Sequence, residues 1–315
     1  HDPALEKAKL HATNYVSGFN AADPALVGVH WLVDSARAEK RIEGTRAFRP
    51  QAGYSALVEL FTKKLTGANV EIRTAAVVDS IRWRDGRAEI GGLAKDAPFA
   101  VTARRVLVTV PLAVLQTPAG ERGSIRFVPA LPANKLRAME KLEMGKVIRV
   151  VFKFHSRFWK NIAPGGSGKT LSDLSFLFSD NALFPTWWTR FPDESPLLTG
   201  WAPFRSAEQL SGKDESFIVT HGLNALSKLL GIDRQTLQQE FQAAHYHDWQ
   251  LDPFARGAYS YGKVGSAGAQ QELGSPIDNT LFFAGEATDV TGNNGTVHGA
   301  MASGYRAAEE ILKSL

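Results

Sequence analysis

The chain has 315 residues, of which 44% are hydrophobic and 22% are charged. At about 150 residues per domain, this length predicts roughly two domains with a sizeable core, and the composition excludes a disordered chain or a coiled coil. The 36 basic and 32 acidic residues leave a net charge of +4. Because this charge is spread along the chain, it does not by itself indicate nucleic-acid binding.

Cysteine is absent from the sequence, which excludes disulfides, thiol nucleophiles, thiolate zinc sites and iron–sulfur clusters. The longest apolar run, residues 147–154, is interrupted by Arg149 and Lys153, so we expect no membrane span. We expect a soluble chain with the cytoplasm as its default compartment, although nothing in the sequence identifies the compartment. Because the chain opens with His1 and not with methionine, we expect it to be trimmed, mature or partial.

The period of the apolar residues predicts helices and strands along the whole chain. In chain order these are helices 5–19, 26–38 and 56–65, strands 70–72, 77–83, 88–90, 99–102 and 106–110, helix 136–142, strands 147–154, 175–178 and 197–201, helices 215–230 and 234–244, strand 280–284 and helix 297–312. Asp85-Gly86 and Gly91-Gly92 are predicted to separate strands. Strand 106–110 is apolar on both faces, which predicts a buried parallel strand. The mixture predicts an α/β (α+β mixed) fold.

The C-terminal segment carries the clearest pattern for ligand binding. A buried strand ends at Gly285 and Glu286, and a Gly/Asn-rich loop, residues 292–296, opens a helix that begins with small residues. Backbone N–H groups at such a helix N-terminus can hold an electron-rich oxygen, and small residues let a flat group approach closely. Glu286 is placed to accept hydrogen bonds from a ribose or phosphate network, or else it is an ordinary cap or surface acid.

This segment, Leu281-Phe282-Phe283-Ala284-Gly285-Glu286 through Thr296-Val297-His298-Gly299-Ala300 to Gly304, resembles the C-terminal flavin-binding motif of the flavin-containing amine oxidases. That family includes monoamine and polyamine oxidases and histone lysine demethylases. The resemblance covers nearly the whole chain in order, through Arg49-Pro50, Gly53-Tyr54, Val108-Thr109-Val110-Pro111-Leu112, Phe127, Phe158-Trp159, Trp249, Asp252-Pro253 and Gly257-Ala258-Tyr259-Ser260.

The resemblance implies a two-domain fold in which an FAD domain is interleaved with a substrate domain of mixed sheet and helices. It assigns residues 47–110 and 251–315 to the FAD domain, and residues 1–46 (helical part) and 111–250 to the substrate domain. The family begins with a strand, a GxGxxG turn and a helix that hold the FAD pyrophosphate, and no GxGxxG occurs here. We therefore expect this first βαβ unit to be absent and FAD binding to depend on sequence before His1.

The resemblance also implies roles for individual residues. Tyr259 matches an aromatic wall in front of the flavin, and Thr296 matches the second wall, which is often tyrosine. Some family members attach flavin through a cysteine where this chain has Ala258, so FAD is expected to bind non-covalently. The residues expected to contact the cofactor are Val78, Pro111, Trp249, Phe254, Ala258, Gly285, Glu286, Thr296 and Val297. For Trp249 and Phe254, packing in the core is the alternative.

Arg149 is the main departure from the family. The matching residue is usually a lysine that holds a water near flavin N5, and arginine does not simply replace lysine because it is bulkier and always charged. Tyr259, Arg149 and Thr296 are the expected catalytic residues. The alternative is that Arg149 points away from the flavin and pairs with a surface acid. Lys146 lies three residues earlier, and this odd offset points it to the other face of the predicted strand.

The implied reaction is oxidation of a small-molecule amine: FAD takes a hydride, water hydrolyses the imine, and oxygen is reduced to hydrogen peroxide. Neither a metal nor nucleic acid is expected as a partner. The alternatives are a non-catalytic fragment of such an enzyme, or a related flavin dehydrogenase or desaturase that reacts poorly with oxygen.

Two further motifs are weaker. Residues 163–170 satisfy the loose phosphate-loop pattern of an ATPase, but Ala163 replaces its first glycine and a strand, not a helix, is predicted to follow. His245 and His247 lack an evident third ligand, so structural roles are expected for them. For His298, at the expected flavin edge, a capping or supporting role is favoured.

Overall fold

The computed structural model describes residues 3–44, 46, 48–66, 69–163 and 168–315. The helices are α1 (Pro3–Gly18), α2 (Val29–Arg41), α3 (Ser55–Leu65), α4 (Leu112–Leu115), α5 (Ala133–Glu140), α6 (Arg205–Leu210), α7 (Glu215–Leu230), α8 (Arg234–Glu240), α9 (Ala269–Gly274) and α10 (Val297–Lys313).

The strands are β1 (Ala76–Arg84), β2 (Arg87–Ala94), β3 (Ala97–Ala103), β4 (Val106–Val108), β5 (Arg126–Val128), β6 (Leu142–Met144), β7 (Val147–Phe154), β8 (Phe176–Phe178), β9 (Thr186–Trp188), β10 (Leu197–Pro203), β11 (Phe241–His245), β12 (Ser260–Gly262) and β13 (Leu281–Phe283). The predicted mixed α/β class is confirmed.

The chain divides into two compact units. The first unit comprises the chain up to Gly28, Val110–Val114 and Leu142–Gly265, and the second comprises Val29–Thr109, Leu115–Lys141 and Ser266–Leu315. These units differ from the predicted domains over residues 29–46, 110, 115–141 and 251–265. The predicted domains were assigned by which segments bind FAD and which bind substrate, and that division of function stays a prediction.

The first unit is built on a five-stranded antiparallel sheet in the order β11-β7-β10-β9-β8. One face of this sheet carries the hydrophobic core, in which Phe152 and Trp187 are fully buried together with Leu226 of α7 and Leu237 of α8. We call it the core face. Gly222 of α7 lies so close to Phe152 that an added Cβ would stand 2.3 Å from its ring.

Helix α7 begins and ends as its local sequence predicts. The side chain of Asp214 accepts a hydrogen bond from Phe217 N at 2.7 Å, which caps the helix and lowers the pKa of Asp214. Gly231 ends the helix in the left-handed conformation, at φ +65°.

The prediction of one helix over 234–244 is wrong for its last four residues. Helix α8 ends at Glu240, and Phe241 starts β11, which pairs with the edge of β7. The ring of Phe241 lies 6.3 Å from those of Phe152 and Phe154. Strand pairing and this aromatic contact override the local helical preference, because both come from residues distant in sequence.

The second unit contains a mixed sheet in the order β3-β2-β1-β5 and a parallel pair, β4 with β13. All three residues of β13 are buried, but β4 ends at Val108 and its Leu107 is 38% exposed. The prediction of a strand over 106–110, buried on both faces, is therefore only partly correct. The reason is that β13 supplies one neighbour while one side of β4 stays uncovered.

Four other predictions need correction. Asp85-Gly86 forms the β1–β2 turn, but Gly91 and Gly92 lie inside β2, where an added Cβ on Gly92 would stand 2.0 Å from Val77 O at a bulge of β1. Residues 70–72 form no strand, since no described strand pairs with them. The predicted helices 26–38 and 136–142 are shifted to α2 and α5.

Candidate functional site

Gly285 and Glu286 follow the buried strand β13 at its carboxyl end, as predicted. The backbone of Gly285 has φ +129°, and its N–H donates to Ser303 Oγ of α10 at 2.9 Å. Among the described residues, an added Cβ on Gly285 would meet only Thr109 O, at 4.0 Å. The end of the parallel pair therefore leaves open backbone beside α10.

The loop between Glu286 and α10 is held by its own polar groups. Glu286 Oε2 accepts a hydrogen bond from Gly295 N at 2.7 Å, and Asn294 Nδ2 donates to the carbonyls of Glu286 and Asp289 at 3.0 Å each. The buried carboxylate of Asp289 accepts from Asn293 N at 2.8 Å. One oxygen of Glu286 thus shapes the loop, which is the supporting role that the sequence left open beside ribose binding.

Thr296 is the N-cap of α10. Its Oγ1 accepts from Gly299 N at 3.0 Å and donates to Asn293 O at 2.6 Å. The backbone N–H groups of Val297 and His298, both exposed, have no acceptor among the described residues. The helix therefore presents two donors and its positive dipole end to an electron-rich group.

Tyr259 lies at a close crossing of two backbone segments in the first unit. Gly145 N donates to Tyr259 O at 2.7 Å, Ala258 N donates to Gly145 O at 2.9 Å, and an added Cβ on Gly257 would stand 2.9 Å from Gly145 O. The phenol donates to Phe19 O at 2.6 Å. This hydrogen bond holds the ring, and burial raises the pKa of Tyr259, so its hydroxyl stays neutral.

Trp249 and Phe254 belong to a turn whose shape Asp252 sets. Asp252 accepts from Phe254 N at 2.8 Å and lies 3.0 Å from His247 Nε2, and these contacts lower its pKa. The Trp249 ring meets the His247 ring edge-on at 4.4 Å. Trp249 and Phe254 are 49% and 43% exposed, so both lie at the surface of the unit and outside its hydrophobic core.

Arg149 is exposed on β7, directly opposite Trp201 of β10 and on the face away from the core. No acidic partner for its guanidinium occurs in the part of the chain that the structure describes. Lys146 instead pairs with Glu208, with Nζ and Oε1 2.7 Å apart. Within the described residues, Arg149 therefore does not pair with a surface acid, which was the alternative to a role near the flavin.

The predicted site residues divide between the two units. The second unit brings together Gly285, Glu286, Thr296 and Val297 at the N-terminus of α10, and Val78 lies half-buried on β1. The first unit holds Pro111, Arg149, Trp249, Phe254, Ala258 and Tyr259. Their catalytic and cofactor-binding roles stay predictions.

A set of aromatic side chains on the face of the five-stranded sheet opposite the core face was not predicted from the sequence. This aromatic face consists of Phe176, Phe178, Trp188 and Trp201. The indole of Trp201 donates to Gly18 O at 2.9 Å. Strands 175–178 and 197–201 were predicted, and period-two alternation within them could have shown that Phe176 and Phe178 share one face, but β9, with Trp188, was not predicted.

Among the described residues, no three His, Cys, Asp or Glu side chains converge as metal ligands. None of the described helices combines the length and apolar character of a membrane span.

The phosphate-loop pattern is only partly described, because Pro164, Gly165, Gly166 and Ser167 lie outside the described residues. A 3-10 turn (Phe158–Asn161) precedes it and β8 follows, whereas a phosphate loop joins a strand to a helix.

Comparison with known proteins identifies a common family. The family model described as flavin containing amine oxidoreductase matches residues 3–312. The chain is 34% identical over 212 residues to lysine-specific histone demethylase 1 homolog 3 of Arabidopsis thaliana, covering 67% of this chain and 12% of that protein. It is 29% identical over 267 residues to lysine-specific histone demethylase 1B of Mus musculus, covering 82% and 29%. The chain thus spans less than a third of the length of these relatives.

Solved structures show the same fold. Cyclohexylamine oxidase from Brevibacterium oxydans matches with a TM-score of 0.71 and 19% identity, covering 96% of this chain and 63% of that one. Putrescine oxidase bound to putrescine matches with a TM-score of 0.63 and 20% identity, covering 82% and 52%. The predicted amine oxidase-like fold is confirmed by these likenesses.

Proposed function

The chain belongs to the flavin-containing amine oxidoreductase family, and from this premise we propose that it forms part of an enzyme that uses FAD to oxidise an amine. The observation that supports this most directly is the arrangement after β13: an open strand end at Gly285, a loop held by Glu286, and the N–H groups of Val297 and His298, which have no acceptor among the described residues. A flavin nucleotide, with its electron-rich oxygens and flat ring, matches these donors and this bare backbone.

The residues of the chain would divide the work. Gly285, Val297 and His298 would hold the cofactor, which supplies a hydride acceptor for the C–H bond beside the amine nitrogen. Ala258 offers no atom for a covalent link, so binding is non-covalent. Tyr259 would form one wall of the amine site, because its ring is fixed at both the backbone and the hydroxyl and stays neutral.

The test is the visible absorption spectrum of the purified protein that carries this chain, before and after addition of FAD and then of an amine without oxygen. We expect a flavin spectrum that the amine bleaches. Gly285→Val should remove the flavin spectrum, since Gly285 needs a positive φ. Gly231→Val, at another open position with a positive φ but at the end of α7 in the first unit, is the matched control and should keep the flavin spectrum. A protein that never takes up FAD would overturn the proposal.

The amine wall is tested by Tyr259→Ala against Tyr259→Phe. Loss of the ring should slow bleaching by an amine about tenfold or more while FAD content is unchanged, because the ring places the amine and does not anchor the cofactor. Tyr259→Phe keeps the ring and should keep most of the rate. Equal loss of FAD and rate in Tyr259→Ala would indicate a packing role.

Lys169→Ala tests the phosphate-loop interpretation. It should change neither FAD content nor the rate of bleaching, and a large loss of either would revive that interpretation.

The proposed function includes oxygen as the acceptor of electrons from the reduced flavin. Arg149 stands where the family usually has lysine, so Arg149→Lys should accelerate reoxidation of the reduced flavin by oxygen and change reduction little. Stopped-flow measurement of both half-reactions separates these steps. Identical reoxidation rates in the two proteins would remove Arg149 from the mechanism, and slow reoxidation in both would favour a dehydrogenase.

A further inference from the structure

The aromatic face presents two cross-strand rows of side chains. Strand register aligns Arg149, Trp201, Thr186 and Phe178 in one row, and Val151, Thr199, Trp188 and Phe176 in the next. Partners in register share a face of the sheet, so these eight side chains project from the side opposite the core face. The rows cross four strands of the first unit.

The four aromatic rings touch one another. Trp188 lies 5.5 Å from Trp201 and 6.1 Å from Phe176, and Phe176 and Phe178 stack at 6.5 Å. Phe176 and Phe178 are 57% and 76% exposed. Contiguous exposed rings of this kind mark a surface that takes an apolar group, since isolated apolar residues are ordinary but clusters are not.

This surface is continuous with the wall that Tyr259 forms. Trp201 Nε1 donates to Gly18 O at 2.9 Å, and Tyr259 Oη donates to Phe19 O at 2.6 Å. Adjacent Cα atoms are about 3.8 Å apart, so the two side chains are anchored on neighbouring peptide groups at the end of α1. The aromatic face therefore leads from Tyr259 outward along the sheet.

The ionisable side chains on this face are all basic. In the five strands, all of which are described, its ionisable residues are Arg149, Lys153 and His245, and no carboxylate shares the face. A polyamine or a lysine-rich peptide carries several cations and needs acidic partners. Arg149, with no acidic partner among the described residues, repels a second cation placed beside Trp201.

We propose that the aromatic face binds the apolar body of the amine, so that the substrate is a hydrophobic monoamine and not a diamine, a polyamine or a basic peptide. This inference rests on the proposed function, because it concerns the same amine site. Trp188 and Trp201 are the residues that determine the preference, through ring contact with the part of the substrate that does not react.

The experiment compares flavin bleaching by cyclohexylamine, benzylamine, putrescine and a methyl-lysine peptide in the FAD-loaded protein without oxygen. We expect the two monoamines to act at concentrations at least about tenfold below putrescine or the peptide, in line with the loss of one well-packed apolar contact. Trp188→Ala should raise the half-saturating concentration of cyclohexylamine about tenfold with little change in the limiting rate. Trp188→Phe should restore most of the affinity.

A charge-introducing variant reverses the preference. Thr186→Glu places a carboxylate in register with Trp201, and should lower the half-saturating concentration of putrescine while raising that of neither monoamine more than about twofold. Thr186→Gln is the control of equal size. Preferential bleaching by putrescine or the peptide in the unmodified protein, or no effect of Trp188→Ala, would overturn the inference and leave the proposed function intact. Bleaching by none of the amines would overturn both.

Discussion

The two faces of the five-stranded sheet differ in what covers them, although both are rich in apolar residues. Trp187 and Trp188 are consecutive in β9, yet Trp187 is fully buried near Phe152 and Phe184, whereas Trp188 stands on the aromatic face. Helices α7 and α8 cover only the core face. A strand with large apolar residues on both sides is thus buried on the side that the helices cover and left accessible on the other.

The largest expected difference between the faces is in stability. Trp187→Ala should lower the free energy of unfolding by about 3–5 kcal/mol, because it leaves a cavity in a closed core. Trp188→Ala should lower it by about 1 kcal/mol or less, because solvent already reaches its surroundings. Urea denaturation of both variants measures the contrast. Equal losses would mean that the aromatic face is covered as well.

Overpacking tests the closure of the core face. Gly222→Ala should destabilise the protein by about 1–3 kcal/mol, since the new methyl group would stand 2.3 Å from the buried ring of Phe152. Gly304→Ala is the control: its position in α10 is open, so the better helix former should stabilise by about 0.5–1 kcal/mol. If Gly222→Ala left the free energy of unfolding unchanged, the interface between α7 and β7 would be able to accept the added methyl group by a small shift.

The N-terminus of α10, in the second unit, depends on a hydrogen-bond acceptor that the side chain of Thr296 supplies. Thr296→Ala should cost about 1 kcal/mol, because Gly299 N loses the acceptor that the chain supplies. Thr296→Ser keeps the hydroxyl and should cost little. Urea unfolding of the two variants compares them, and equal costs would mean that the methyl group, and not the cap, is what matters.

Lys135 is a buried ionisable group, and its effect on the free energy of unfolding changes only at alkaline pH. This buried side chain donates to the carbonyls of Glu272, Leu273 and Ser275, and burial lowers its pKa from the usual 10.5 to about 8. Between about pH 8 and 10.5 the folded chain holds fewer protons than the unfolded chain. The free energy of unfolding, taken relative to Lys135→Met, should therefore rise with pH across this window.

The reference variant makes the pH measurement specific, because other titrating groups contribute equally to both proteins. A difference in free energy of unfolding that stays constant from pH 7 to about 10.5 would show that Lys135 keeps its proton in the fold. It would then act as a permanently charged partner of its three carbonyls.

Part of the candidate site was predictable because its signals are local. Gly285, Glu286 and the helix after Thr296 follow from a short apolar strand, a glycine and a capping residue, which are contiguous in sequence. The role of Glu286 in shaping the loop was left open, since its partner Gly295 N is defined only when the loop closes. Contact between Trp201 and Gly18 joins residues 183 positions apart, and no local pattern reports it.

Neighbouring residues were enough to predict the mixed α/β class, the bounds of α7 between Asp214 and Gly231, and the family, because caps, periods and motifs are properties of adjacent positions. Three features depend on contacts between distant segments: Phe241 starts a strand, Gly92 lies under a bulge, and one face of the five-stranded sheet is closed by helices. These features could not be predicted, because packing partners come from distant segments and burial depends on where those segments meet.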